Sequence, residues 1–164
     1  MMLLSIVIVS FNVEELLVKC FESIEKYSKG ITKEVFVVDN DSSDNTVLRI
    51  RKDFPKVTLI ANKKNLGFSK ANNQALKKAK GDYLLVLNPD TELKADTLSE
   101  MIGFMQKNKD VAVSTCRVEL ADGFLDRDCR RHFPTPWRSF CHFSNLSKIF
   151  LKSKIFDQYY MGYM

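Results

Sequence analysis

Five short apolar runs punctuate the first 116 residues, and each of the first four is followed by residues of helical period. The runs are SIVIVS (5–10), EVFVVD (34–39), VTLIA (57–61), YLLVL (83–87) and VAVSTC (111–116). They are too short for buried helices and too uninterrupted for strands with one wet face, so they predict strands covered on both faces. Between them, Val13, Leu16, Leu17, Cys20 and Ile24 share one helical face, with Asn12 and Glu15 as an N-terminal signal. Val47, Ile50 and Phe54 form a second such face, ended by Pro55. A third helix is predicted from a cap at Ser69 to about Lys80, stopping at Gly81, and a fourth carries Leu98, Met101, Ile102 and Met105. Alternation of this kind gives an α/β fold: a mostly parallel sheet, right-handed crossovers, helices on both faces. Beyond it, 118–126 reads as a hairpin around Asp122-Gly123, and 137–153 has a weak helical period.

Charge divides the chain differently. The formal net charge is +5 over 164 residues, but the excess lies wholly in residues 127–164. There Arg127, Arg130, Arg131, Arg138, Lys148, Lys152 and Lys154 face only Asp128 and Asp157, and half of the chain's aromatics gather in the same segment. The expected organisation is a balanced domain over 1–126 and a basic, aromatic segment over 127–164. That segment suits three roles: core and lip residues of a larger domain, peripheral contact with an anionic membrane, or, least favoured, nucleic acid. No apolar run approaches the roughly 20 residues of a membrane helix, and Met-Met-Leu-Leu lacks a basic n-region and cleavage site. Cys20, Cys116, Cys129 and Cys141 form no C-x-x-C pair and no metal spacing with His132 or His142, which points to reduced thiols in the cytoplasm.

In parallel sheets, ligands bind beyond the carboxyl ends of the strands. Those ends are Ser10-Phe11-Asn12, Asp39-Asn40-Asp41 and Asn88-Pro89-Asp90. Neither a G-x-G-x-x-G fingerprint nor a phosphate-cradling G-x-x-x-x-G-K-[ST] is present. A carboxylate on such a rim can engage phosphate only through a divalent cation, Mg²⁺ or Mn²⁺. Asp90 is the candidate ligand; a turn-forming role competes with it.

Taken in order, SIVIVSFN, VVDNDSSDNT, NLGFSKANNQAL and GDYLLVLNPD resemble the family-2 glycosyltransferases of the GT-A fold, over roughly residues 3–126. The resemblance implies transfer of a sugar from a nucleotide-diphospho-sugar to a glycan or lipid-linked acceptor, in polysaccharide biosynthesis. It implies a donor site with Ser10, Phe11 and Asn12 at the nucleotide and Asp39 at the pyrimidine base. Asn65, Gly67 and Asn73 would lie beside the ribose and diphosphate. Asn88 would occupy the first position of the D-x-D motif and Asp90 the metal position. Ser42, Asp44 and Thr46 match the following loop, where turn and capping roles are as suitable. Asn-Pro-Asp looks like the rhamnosyltransferase-type branch. An amide at Asn88 can accept from ribose hydroxyls but adds no charge. The family's carboxylate base has no match after Asp128, so it is expected beyond residue 164. The chain then reads as a truncated, donor-binding part that self-associates and is inactive alone, about one hundred residues short of its relatives. The intact enzyme would invert the anomeric centre at the inner face of the cell membrane. Rival readings are a metal-dependent nucleotidyltransferase, a non-catalytic nucleotide-sugar binder and a receiver-type module. The first wants a basic glycine-rich loop where VEELL stands, and the last an acidic pair after the first strand.

Overall fold

Strand β1 (Leu3–Ser10) is the spine of the first unit, pairing in parallel with β2 (Thr32–Asp39) on one side and β4 (Tyr83–Leu87) on the other. Strand β3 (Thr58–Ala61) adds to β2, giving the order β3-β2-β1-β4. The computed structural model describes residues 2–126, 129 and 131–161. They fall into two units, Met1–Asp110 and Val111–Met164. Ile6, Val7 and Ile8 of β1 are all fully buried, as an uninterrupted apolar run requires. Leu4, Ile6 and Ile8 join a core with Leu17, Cys20, Phe21 and Ile24 of α1 (Glu14–Tyr27), Ile50 of α2 (Thr46–Asp53) and Leu98 of α4 (Thr97–Lys107). Val7, Phe36 and Val38 face Ala71 and Ala75 of α3 (Phe68–Leu76) on the other side. The two-faced parallel sheet is therefore as the sequence predicts.

Several details differ. Leu16 is exposed, whereas Phe21, outside the expected stripe, is buried with its ring 4.5 Å from that of Phe54. Strand β4 is covered on one face only: Leu84 and Val86, registered with Ser5 and Val7, are 53% and 45% exposed. Helix α3 packs on β1 and β2 and leaves that end of its face open. Ser69 does not cap α3; Gly67, at φ 76°, is the N-cap, and Ser69 lies within the helix. Nor does α3 reach Lys80. It ends at Leu76, and the Lys80 and Gly81 amides turn instead to the adjoining strands. Segment 111–116 joins no ladder among the described residues, and Val113 is 87% exposed. Around Asp122-Gly123 the hairpin is reduced to one antiparallel bridge, Glu119 with Leu125.

The second unit contains α5 (Pro136–Phe143) and α6 (Leu146–Ile149). Thr135 caps α5, its hydroxyl accepting from the Arg138 N–H at 3.3 Å. Aromatic contacts dominate: Trp137 stacks on Phe140, Phe150 meets Phe156, and His142 lies flat on Tyr159 at 4.3 Å. His142 is thus a packing residue.

At the amino end of the sheet, Ser5 Oγ donates to Glu34 Oε1 (2.5 Å) and accepts from the Gly81 N–H (2.8 Å). The Lys80 N–H donates to the same carboxylate oxygen at 2.6 Å. A Cβ on Gly81 would lie 2.5 Å from Ser5 Oγ, 2.6 Å from Ser5 N and 2.7 Å from the Tyr83 carbonyl, so only glycine fits. Burial raises the Glu34 carboxyl, but the Ser5 hydroxyl and the Lys80 amide outweigh it and hold it below its ordinary value. A depressed folded pKa stabilises above the unfolded value and loses that contribution as pH falls through the folded one. Urea melts of the wild type should therefore lose stability on acidification below about pH 4.5 more steeply than melts of Glu34→Gln. Gly81→Ala should destabilise by ~1–3 kcal/mol in the same assay, because two of the three clashes are with backbone.

Candidate functional site

Because the strands are parallel, β1, β2, β3 and β4 all deliver their carboxyl ends to one rim. Register places Ser10 directly beside Asp39. Ser10 Oγ donates to Asp39 Oδ1 at 3.0 Å, Ser42 Oγ donates to the same oxygen at 2.5 Å, and the Ser42 N–H donates to Oδ2 at 2.9 Å. Asp39 is 1% exposed. The carboxylate to which the resemblance assigns the base-binding role is therefore also engaged in organising the rim.

Asn12 continues this network. Its φ of 53° is in the left-handed region, which asparagine tolerates better than most residues. It does not cap α1, whose N-cap is Val13. Instead its N–H donates to Ser42 Oγ at 2.9 Å, and its Oδ1 accepts from the Ser43 N–H at 2.8 Å. The loops after β1 and β2 are thereby locked together, with Phe11 half-exposed at their edge. Asp44 serves the first residues of α2 and α1: Oδ1 accepts from the Thr46 N–H at 3.0 Å and Oδ2 from the Glu14 N–H at 3.3 Å. Burial pushes its carboxyl up, yet Thr46, through its side chain and its N–H, and the Glu14 N–H leave it below its ordinary value.

Asn40 is a hub that sequence analysis passed over as part of a strand end. It is buried; its Oδ1 accepts from Asn62 Nδ2 (3.0 Å) and the Leu66 N–H (3.4 Å). Its Nδ2 donates to the Gly67 carbonyl at 3.5 Å, and Gln74 Nε2 donates to Asn62 Oδ1 at 3.1 Å. The only local signal was an amide directly after the strand-end acid. Asn65 Oδ1 accepts from the Gly67 N–H at 2.8 Å, shaping the start of α3. On that helix Asn73 is exposed, whereas Asn72 is buried with its Oδ1 unpartnered.

After β4 the chain turns at once, the Thr91 N–H donating to the Asn88 carbonyl at 3.2 Å. Asn88 and Asp90 are exposed, and the Asp90 carboxylate takes no hydrogen bond or ion pair among the described residues. Beneath them lies Cys20. Its burial first, and the Asp90 and Glu92 charges second, push its thiol up to about 12, so it stays protonated at neutral pH. Among the described residues no three His, Cys, Asp or Glu side chains cluster to hold a metal ion. A lone unpartnered carboxylate nevertheless suits Mg²⁺ or Mn²⁺, which bind through one or two carboxylates when phosphate and water complete the shell. In the second unit Asp122 Oδ1 accepts from the Phe124 N–H within its turn; Asp128 lies outside the described residues.

The profile described as Glycosyl transferase family 2 matches residues 5–164. A dolichol-phosphate mannosyltransferase of Pyrococcus furiosus is 28% identical over 117 residues, covering 70% of this chain and 33% of its own length. The poly(ribitol-phosphate) β-N-acetylglucosaminyltransferase TarS of Staphylococcus aureus is 29% identical over 112 residues, 66% of this chain and 20% of its own. The crystal structure of TarS 1–349 superposes with a TM-score of 0.58 at 26% identity, covering 66% of this chain and 33% of that one. The mannosyltransferase PcManGT of Pyrobaculum calidifontis, solved with GDP-Man and Mn²⁺, superposes at 0.59 and 23% identity, covering 71% and 35%. This chain thus spans a third or less of either curated relative.

The two rim acids should separate in a stability assay. Asp39→Ala strands the Ser10 and Ser42 donors in the interior and should cost ~2–4 kcal/mol of urea stability. Asp90→Ala, exposed and unpartnered, should stay within about 0.5 kcal/mol of wild type.

Proposed function

Since the chain belongs to glycosyl transferase family 2, a family of GT-A fold, we propose that residues 1–126 are its donor-binding domain and that the rim of the sheet receives a nucleotide-diphospho-sugar. The observation that carries this reading is the contrast between two acids on one rim. Asp39 is saturated by its own chain, while Asp90 is left open beside exposed Asn88. Asp90 is thus free to bind a divalent cation that shares its shell with the diphosphate. Bound there, the cation would supply Lewis-acid stabilisation of the leaving diphosphate. Asn88 would accept from ribose hydroxyls, Phe11 would offer an apolar edge to the nucleotide, and Ser10, Asn12 and Asp39 would hold the loops that frame it. Asn65 and Gly67 set the start of α3, which would lie beside the diphosphate, and Asn73 is exposed on that helix.

The reaction is displacement with inversion. The acceptor hydroxyl oxygen bonds to the anomeric carbon, the carbon–oxygen bond to the diphosphate breaks, and a carboxylate takes the hydroxyl proton. Asp39 and Asp44 are both engaged by donors of their own loops, so neither is offered as that base. The donor is of the thymidine-diphospho-rhamnose type, supported by the Asn-Pro-Asp turn. The acceptor is a lipid-linked sugar or glycan. Exposed Phe133, Phe143 and Leu151, in the unit that carries the cationic excess, suit self-association or contact with an anionic membrane face on the cytoplasmic side. Among the described residues no helix is long and apolar enough to cross a membrane.

Calorimetric titration with thymidine diphosphate, with Mn²⁺ or with EDTA, tests the site. Mn²⁺ should tighten binding by about tenfold or more in wild type and leave Asp90→Ala unchanged. Equal binding in EDTA and Mn²⁺ would remove the metal from the reading. Thymidine diphosphate should outcompete uridine diphosphate; the reverse order would exclude the rhamnose-type donor and leave the site intact. Sustained transfer to a lipid-linked sugar by this chain alone would show that a catalytic base is present within it.

A further inference from the structure

Helix α1 grips both ends of the turn that carries Asp90. Ser23 is buried; its hydroxyl donates to the Cys20 carbonyl at 2.7 Å and accepts from the Leu93 N–H at 2.9 Å. The donor proton is committed within the helix, so the oxygen's lone pairs face outward to Leu93. One turn earlier, the Cys20 thiol donates to the Asn88 carbonyl, a longer sulfur contact of 3.9 Å. Leu93 itself is buried in the same core as Leu17, Cys20 and Ile24. Asn88 and Leu93 are thus both tethered to α1, and the exposed Asp90 rides on the short arch between them.

We propose that Ser23, assisted by Cys20, is a positioning residue for Asp90. The two side chains set the height and orientation at which the arch presents its carboxylate to a cation and diphosphate. The physical basis is the cost of leaving a buried N–H unpaired. The arch cannot lift or slide without stranding the Leu93 amide, so its backbone has one arrangement rather than several. A floppy arch would pay an ordering cost each time the cation bound. Neither residue reaches solvent as a ligand would; their effect passes through the backbone of 88–93. This inference rests on the proposed metal role of Asp90.

The test uses the whole chain, with thymidine diphosphate and Mn²⁺ as probes. Ser23→Ala should weaken binding in Mn²⁺ by about tenfold, while binding in EDTA stays at the wild-type value. Hydrogen exchange at the Leu93 amide should accelerate in the same variant. Ser23→Thr, which keeps the hydroxyl, should restore both. Cys20→Ala, which removes the longer contact together with one buried sulfur of the core, should show a smaller loss of about twofold, again confined to the Mn²⁺ arm; it decides the matter if Ser23→Ala does not fold. Equal losses in Mn²⁺ and EDTA, or none in either, would overturn the positioning role and leave only a structural one. A wild type with no Mn²⁺-dependent increment would instead overturn the metal reading, and this inference with it, before any variant is compared.

Discussion

The burial of Asp39 is the constraint on which the rim depends. An ionised carboxylate excluded from water is tolerated only when hydrogen bonds replace its hydration. Here three donors do so, two hydroxyls and one backbone N–H, and they come from β1 and from the loop after β2. The Ser42 hydroxyl in turn accepts from Asn12, so the carboxylate, the serine and the left-handed asparagine form one chain of bonds. Such chains strengthen one another and resist rearrangement. A neighbouring network through Asn40, Asn62 and Gln74 holds the loop after β3. The rim is therefore organised before any ligand arrives, which lowers the ordering cost of binding.

The two ends of the sheet are specialised in opposite ways. At the amino end, Glu34, Ser5 and the Lys80 and Gly81 amides close a compact polar knot with no room for a side chain on Gly81. At the carboxyl end the polar groups are shared between loop organisation and exposure, and Asp90 is left open. The same hydrogen-bond chemistry stabilises one end and prepares the other. Strand β4 links them, since its start is fixed by the knot and its last residue leads into the arch held by α1. Its outward side chains Leu84 and Val86 remain uncovered among the described residues.

The second unit follows a different logic. Few of its apolar side chains are deeply buried, Cys141 being the one within α5. Rings pack on rings, and Arg138 braces the segment by donating to Gln158 Oε1 and to the Phe133 carbonyl. Aromatic pairs of this kind contribute roughly 0.5–1.5 kcal/mol each beyond their burial.

Much of the architecture was legible in the amino-acid order. Uninterrupted runs such as SIVIVS announce a strand covered on both faces, and β1 is one. The stripe Leu17, Cys20, Ile24 announced the buried side of α1, and the strand-end motifs announced which rim would be polar. These features are local, because burial on a strand or helix leaves a periodic trace in the residues themselves. What pairs across the fold leaves no such trace. Asn12 has the composition of a helix cap, but its partner Ser43 lies 31 residues away, and only register brings them together. Gly81 could have been any helix stop until β1 arrived within contact of it. VAVSTC has the pattern of a strand, yet a strand needs a ladder, and none forms there among the described residues. Ser23 reads as a polar residue beside an apolar stripe until Leu93, 70 residues on, presents its amide to it. The sequence by itself determined four of the five expected strands, the helices that follow them, and that their polar ends would share a rim. Only the tertiary structure decided which rim acid is saturated and which is free, because hydrogen-bond partners are assigned by proximity in space, which the order of residues does not encode locally.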